Sequence, residues 1–171
     1  MKLFGKEISI IDKKFRKNKA HYILQCLLAT AAVVGILLAM DSVFKEVMLA
    51  SFGATAFLVF AMPHLRTSQA RSVLGGYIIG IILGIILHIM AVKIHNMTDF
   101  HLIYSMFAGL AVGLSLLIMT MTNAEHPPAA GLSLGLVLQG YHIGSVIIVF
   151  ASVVILMLIK RLLKNWLINL Y

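Results

Sequence analysis

The sequence predicts an all-α polytopic membrane protein that crosses the bilayer six times. Of its 171 residues, 61% are hydrophobic and 12% are charged, whereas a soluble domain is about 45–50% apolar and about 25% charged. A single water-exposed domain of this length cannot bury that excess, which argues against a soluble enzyme, a disordered protein and a nucleic-acid-binding domain. The chain also has no G-x-S-x-G, Walker or H-E-x-x-H motif, so we expect no enzymatic activity.

Six apolar stretches are candidates for the crossings. A helix rises 1.5 Å per residue and the hydrocarbon core is about 30 Å thick, so a span needs about 20 residues. Four stretches qualify, namely 22–40, 72–92, 102–122 and 143–159, of which the last is slightly short but wholly apolar or small. Two are shorter, namely 47–62 and 127–139.

The basic residues support six crossings. If all six stretches cross and the N-terminus lies inside, 12 of the 14 Lys and Arg residues fall on the inner side and two on the outer side. This is the positive-inside distribution. We therefore expect a plasma (cell inner) membrane protein with both termini in the cytoplasm, whose net charge of +8 contacts the anionic inner leaflet and not nucleic acid.

Three regions follow from this topology. Residues 1–21 form a basic segment. Its apolar residues recur at helical spacing among lysines, namely Leu3, Phe4, Ile8, Ile11 and Phe15. That pattern is typical of an interfacial helix on an anionic leaflet, although a solvated basic tail fits it nearly as well. Residues 22–160 form the transmembrane domain, with halves 22–92 and 101–159, and 161–171 form a cytoplasmic tail.

The two halves predict a 3+3 inverted-topology repeat. Each half has three crossings, the halves have opposite orientations, and the middle crossing of each is the short one. In many transporters, short or interrupted segments at matching positions mark the binding site. We expect one helix break at Ser51-Phe52-Gly53 and another at 123–127, where Pro127 favours a helix start and holds His126 outside the helical region.

The two breaks predict a binding site for a small inorganic anion. The N-terminus of each half-helix carries about half a positive charge, and two such ends that face each other would hold an anion without a buried cation. Backbone groups at 53–55 and 129–131 would then donate hydrogen bonds, and His126, with Glu125 beside it, would act as gate or proton partner. The sequence is equally compatible with His126 acting only as a cap of the helix that follows. The candidate substrate-binding or pore residues are Ser51, Phe52, Gly53, Ala54, Thr55, Asn123, Glu125, His126, Pro127, Pro128, Ala129, Ala130 and Gly131.

Glycines at every fourth position predict close helix packing. They are Gly76, Gly80 and Gly84 in one span and Gly109 and Gly113 in the next. Small residues at this spacing let helix backbones approach closely, within one subunit or between copies, so the pattern also permits homo-oligomerisation. The histidines have no metal-ligand spacing, and we expect no metal and no cofactor. A lone His88 is more often hydrogen-bonded to a neighbouring helix.

Three stretches resemble the HPP family of small integral membrane proteins. They are 123–131, which contains the His126-Pro127-Pro128 tripeptide, 51–60 with its Phe-Gly-Ala-Thr segment, and 68–76 with its Gly-Gly pair. The resemblance implies a small-anion transporter, with nitrite as the candidate substrate. The sequence departs from the family pattern at Ala70, Ser72 and Tyr77, and after the tripeptide at 129–133.

The preferred function is therefore a transporter or channel for a small monovalent anion. Two alternatives remain open. One is a non-catalytic membrane scaffold or assembly protein whose helices pack through the glycine faces. The other, less favoured, is a haem- or metal-binding membrane redox protein that uses His88.

Overall fold

The fold is described from a computed structural model, which covers residues 2–3, 6–7, 18–39, 46–98 and 102–170. Six α-helices occupy the positions of the six predicted crossings. In chain order they are α1 (Lys19–Ala39), α2 (Glu46–Ala61), α3 (Ala70–Thr98), α4 (Ile103–Thr122), α5 (Pro127–Gln139) and α6 (Ile143–Leu162). A 3-10 turn, Arg66–Ser68, lies between α2 and α3.

The helical fold class is confirmed, and so is the division into long and short segments. Four helices, α1, α3, α4 and α6, are long and apolar enough to cross a membrane. The 16 residues of α2 and the 13 of α5 correspond to lengths of about 24 and 20 Å, shorter than a hydrocarbon core of about 30 Å.

The N-terminal segment 1–21 is helical only at its end, where α1 begins at Lys19, and its first described residues form strands. Lys2–Leu3 (β1) pairs antiparallel with Lys6–Glu7 (β2). The interfacial helix predicted for 1–21 is therefore wrong at these four residues, because they pair as strands. Its remaining part, up to residue 17, lies outside the described residues.

Helix α5 lies at the centre of the bundle. It packs mainly against α3 and α4 and, on a third side, against α2, while α6 packs on α2 and α3 and α1 contacts mainly α2. The main core joins buried side chains of α2, α3, α5 and α6, among them Phe52, Tyr77, Leu132 and Val153. The short helix α5 thus has longer helices on three sides, and its middle residues Leu132, Leu136 and Val137 are buried.

The break predicted at Ser51-Phe52-Gly53 is wrong, because α2 runs without interruption from Glu46 to Ala61. Glycine lowers helix stability by only about 1 kcal/mol relative to alanine and does not stop a helix, whereas proline does. The Thr55 hydroxyl lies 3.0 Å from the Ser51 carbonyl oxygen, the i to i−4 contact of an intact helix. Gly53 therefore lies within a continuous helix.

The irregular entry predicted before α5 is present. Helix α4 ends at Thr122 and is capped by Asn123, which adopts the left-handed conformation (φ 54°) and donates its N–H to the Met119 and Thr120 carbonyls. Asparagine is one of the few residues that tolerate this conformation. The chain then runs extended to His126 (φ −142°, ψ 92°), and prolines occupy the first two positions of α5.

The two short helices lie side by side and antiparallel. Thr55 contacts His126, Ser51 contacts Pro128, and Met48 lies with Leu136 in the core. The residue number on α2 falls as that on α5 rises, so the N-terminus of α2 lies beside the C-terminal half of α5. The prediction that two helix N-termini face each other is therefore wrong, since α2 has no break at 51–53 and its N-terminus lies beside the other end of α5.

One end of the bundle gathers three connections, namely 62–69, 123–126 and 163–170. The backbone N–H of Leu170 donates to the Ala61 carbonyl at 2.8 Å. Buried Gln25 of α1 donates to the carbonyls of Phe60 at 2.6 Å and Ile168 at 2.7 Å. The start of α1 and the segment 163–170 therefore lie on the same face as the entry to α5.

Candidate functional site

The glycine face of α3 makes room for α5 and its entry. A Cβ atom on Gly76 would lie 2.7 Å from the Cβ of His126, and one on Gly80 would lie 2.4 Å from the carbonyl oxygen of Ala129. A Cβ on Gly84 would lie 2.8 Å from that of Leu136. Because real Cβ atoms do not approach so closely, these positions require glycine, and the approach holds His126 against α3.

His126 binds the turn that precedes α3. Its Nδ1 lies 2.8 Å from the Thr67 carbonyl oxygen. A carbonyl oxygen only accepts, so Nδ1 carries a proton and donates. In the neutral imidazole, Nε2 is then an acceptor that faces the Thr55 hydroxyl at 2.9 Å. Geometry alone therefore assigns the tautomer of the neutral ring.

Four side chains form a buried polar cluster where α2, α3 and the entry to α5 meet. The polar cluster consists of Ser51, Thr55, Tyr77 and His126. The Tyr77 hydroxyl lies 2.8 Å from that of Thr55 and 3.2 Å from that of Ser51, which donates to the Pro128 carbonyl at 2.7 Å. Tyr77, Thr55 and His126 are fully buried and Ser51 is 5% exposed.

The polar cluster can satisfy its hydrogen bonds with His126 in either charge state. With a neutral ring, Tyr77 donates to Thr55 and Thr55 donates to Nε2. With a charged ring, Nε2 donates to Thr55, Thr55 donates to the Ser51 carbonyl at 3.0 Å, and Tyr77 turns to Ser51. Burial lowers the pKa of His126 to about 4 and outweighs the opposite effect of the Thr67 hydrogen bond. The neutral arrangement therefore dominates at neutral pH.

Charged groups surround the entry to α5 on its exposed side. Arg66 forms an ion pair with Glu125 at 3.5 Å and donates to the side chain of Asn123. Arg71 donates to the Thr122 carbonyl at 3.0 Å. Glu125 therefore pairs with Arg66 in the other connection, and the proposed partnership of Glu125 with His126 has no direct contact to support it.

The structure separates the other predicted site residues. Ser51 and Thr55 reach the polar cluster, whereas Phe52 is 1% exposed within the apolar core. Gly53 and Ala54 are exposed, and Gly53 lines a cavity between α1 and α2. The residues predicted on α2 therefore divide between three environments, because successive residues of an intact helix point in different directions.

The backbone of α5 does not form the expected cradle of N–H donors. Pro127 and Pro128 have no N–H, and the N–H of Ala129 donates to the His126 carbonyl at 3.0 Å. Ala130 and Gly131 lie inside the helix, where N–H groups bond to preceding carbonyls. Any donor to a ligand here must therefore come from side chains.

Sequence reasoning did not identify Tyr77 or the Thr67 carbonyl as parts of the site. A tyrosine in the middle of an otherwise aliphatic span was the available signal for Tyr77. The Thr67 carbonyl had no signal, because backbone groups of a turn carry no sequence pattern.

A second buried contact, from the Ser115 hydroxyl to that of Ser133 at 3.1 Å, joins α4 to α5.

His88 lies near the opposite end of α5. Its Nδ1 is 2.9 Å from the Val137 carbonyl oxygen, one of the last carbonyls of α5 that lack a partner within the helix. Its ring also makes an edge contact with Tyr141 at 5.7 Å. Within the described ranges, no three His, Cys, Asp or Glu residues gather as a metal site.

Comparison with known proteins gives the family of the chain. A curated transmembrane protein of Dictyostelium discoideum is 27% identical over 89 residues, which cover 52% of this chain and 29% of the relative. The chain thus matches less than a third of that protein's length, and no solved structure matches it. The model of the HPP transmembrane region matches residues 15–169, and with this match over nearly the whole chain the protein belongs to the HPP family of membrane proteins.

Proposed function

We propose that this protein is a transporter for a small monovalent anion, with nitrite as the candidate substrate, and that the polar cluster is its gated binding site. The observation that carries the proposal is the set of three hydroxyl groups and one imidazole buried where α5 begins. Polar groups enclosed in a membrane bundle are costly and point to a functional site by default. They also lie at the positive end of a helix.

The ligand chemistry follows from the donors that the cluster can offer. Tyr77, Thr55 and Ser51 each carry a rotatable hydroxyl, and charged His126 adds a donor at Nε2. An oxyanion accepts such hydrogen bonds, whereas a metal cation would find no carboxylate among these four side chains. A proton on His126 would accompany the anion, because the charged ring is stable only with a counter-charge beside it.

The arrangement corresponds to a closed state of this transporter. Each polar atom of the cluster is hydrogen-bonded to another protein group, so an anion must replace one of those contacts. Movement of 124–126 away from Gly75 and Gly76 would separate His126 from Thr55 and open the site. The ion pair between Arg66 and Glu125 would close the same entry from outside.

We further propose that the end of the bundle with the entry to α5 faces the cytoplasm of a plasma-membrane protein. The connection 62–69, the entry 123–126 and the chain end share this face with Arg66, Arg71 and Lys164. Such clustering is expected on the inner side. Both termini would then be cytoplasmic. The 3+3 inverted repeat also belongs to this proposal, in the limited sense that α2 and α5 are both short and antiparallel.

A scaffold is the second candidate, and one observation favours it. His126 is fully buried and all its ring nitrogens have protein partners, as expected of a group whose role is to hold helices together. A scaffold would keep this network permanently closed. Transport activity therefore separates the two functions.

Anion flux into proteoliposomes tests the proposal. We expect nitrite uptake above that of empty liposomes, faster at pH 5.5 than at pH 7.5, and at least tenfold lower in Thr55→Val. Thr120→Val is the matched control, because the exposed Thr120 hydroxyl bonds only to carbonyls of its own helix. Uptake equal to empty liposomes at both pH values would contradict transport and favour the scaffold. Equal uptake by Thr55→Val and Thr120→Val would show that the polar cluster is not part of the transport pathway.

A further inference from the structure

A cavity that the polar cluster does not line lies at the same end of the bundle. The ends of α3 and α6 and the C-terminal segment enclose this cavity of about 590 Å³, within the range of small-molecule sites. Its upper wall carries Lys160, Arg161 and Lys164, and among the described residues that line it none is acidic. The polar cluster is not part of this cavity.

The lower wall of the cavity is apolar. Leu74 of α3 and Val154 and Leu158 of α6 line it directly below the basic residues. Leu158 is 54% exposed, so the cavity opens towards the side of the bundle that faces lipid. Helix α6 is apolar or small from Ile143 to Ile159 and carries Lys160 and Arg161 directly afterwards, a change that is typical of the point where a helix leaves the membrane on the inner side.

We propose that this cavity binds one anionic phospholipid, with its phosphate at Lys160, Arg161 and Lys164 and one acyl chain along Leu74, Val154 and Leu158. The order of the two linings matches the order of headgroup and chain in a lipid leaflet. Basic pockets between transmembrane helices bind such headgroups. A zwitterionic lipid carries its own cation, which weakens the attraction to three positive side chains.

The neighbouring contacts decide which residues can test the site. Lys160 donates to the Ser68 carbonyl in the turn that also binds His126, so its replacement would disturb the fold. Arg161 and Lys164 are exposed and suit substitution. Ala70 lines the cavity at the first turn of α3, where a larger side chain can fill the space without a change of charge.

Quenching of Trp166, the single tryptophan of the chain, measures the binding. Trp166 adjoins Leu167, which lines the cavity. The full chain in detergent is titrated with phosphatidylglycerol or phosphatidylcholine that carries brominated acyl chains, and with phosphatidylglycerol in the presence of inorganic phosphate. We expect saturable quenching by phosphatidylglycerol at a ratio of one to one, at least tenfold weaker quenching by phosphatidylcholine, and no displacement by millimolar phosphate.

The variants separate the headgroup contact from the chain contact. The double variant Arg161→Gln/Lys164→Gln should weaken phosphatidylglycerol binding about 30-fold, because each basic group near a membrane surface contributes about 1 kcal/mol. The double variant Lys19→Gln/Lys93→Gln removes the same charge outside the cavity and should bind normally. Ala70→Phe should also weaken binding.

Three results would overturn the proposal. Equal binding of both lipids would indicate an apolar groove without headgroup selection. Displacement by phosphate would indicate a site for a free anion. Equal losses in the two double variants would indicate attraction by net charge alone. Because the assay needs no transport, failure of the anion-flux experiment leaves this result unaffected.

Discussion

Helices α2 and α5 are of similar length, lie in contact and run antiparallel, yet they are built differently. Helix α2 is regular throughout and contains Gly53 in its interior. Helix α5 follows an extended segment and begins with Pro127 and Pro128. The comparison shows that proline, which lacks an N–H and fixes φ, sets the start of a buried helix, whereas glycine alone leaves a helix intact.

The packing around the two helices differs in the same way. The backbone of α5 lies against α3 so closely that Gly76, Gly80 and Gly84 leave no space for a Cβ atom. The outer side of α2 instead borders a cavity of about 720 Å³ shared with α1 and lined by Gly53, Ala56 and Phe57. The irregular backbone is thus held where packing is tight, and the regular helix borders open space.

The largest effect is expected when a glycine that packs against α5 is replaced, and the same replacement of a glycine in α2 serves as the comparison. Gly80→Leu places a side chain where even a Cβ would lie 2.4 Å from a backbone oxygen, so we expect the bundle not to assemble. Gly53→Leu meets no atom within 4 Å of its Cβ and should fold normally. The yield of monodisperse protein on size-exclusion chromatography in detergent measures both. Equal yields would show that the close contact between α3 and α5 is dispensable.

The sequence predicted much of the fold because hydrophobicity and length control membrane helices directly. All six segments occur as helices, and the bounds of 127–139 agree with α5 because Pro127 marks its start. The prediction of a break in α2 was wrong because Ser51 and Gly53 were given the effect that only proline has here. Without that break, the facing N-termini could not form.

The site was also predicted only in part. His126, Thr55 and Ser51 were found because a family motif and a small polar segment mark them. The partner groups that complete the cluster are Tyr77 and the carbonyls of Thr67 and Pro128. These depend on how three helices pack, and a single sequence contains no pattern that records such tertiary contacts.

The stability of the entry to α5 should depend on pH through His126. The ordinary pKa of histidine is 6.5, and burial lowers that of His126 to about 4 in the folded protein. As the pH falls from 6.5 to 4, the unfolded chain gains this proton first. The contribution of neutral His126 is therefore complete above pH 6.5 and lost towards pH 4, by about 3 kcal/mol in total.

Thermal unfolding in detergent between pH 7 and pH 4.5 measures this loss. His126→Gln lacks the titration and should show a flatter dependence than the unmodified chain. The other histidines are common to both proteins, so the difference between the two curves isolates His126. Parallel curves would mean that His126 already has an ordinary pKa, and that the entry to α5 is more open to water than the polar cluster indicates.

The smallest effect is expected at the rim of this entry. Arg66 is 59% exposed and Glu125 is 30% exposed, and their atoms are 3.5 Å apart. Exposed ion pairs contribute at most about 1 kcal/mol and are weakened by salt. In a double-mutant cycle with Arg66→Gln and Glu125→Gln, the coupling energy from thermal unfolding should therefore be below about 1 kcal/mol and should fall further at 0.5 M salt. A coupling of 2 kcal/mol or more would mean that the pair is shielded from water. The ion pair between Arg66 and Glu125 would then be as important for holding the entry to α5 as the packing against the glycine face of α3.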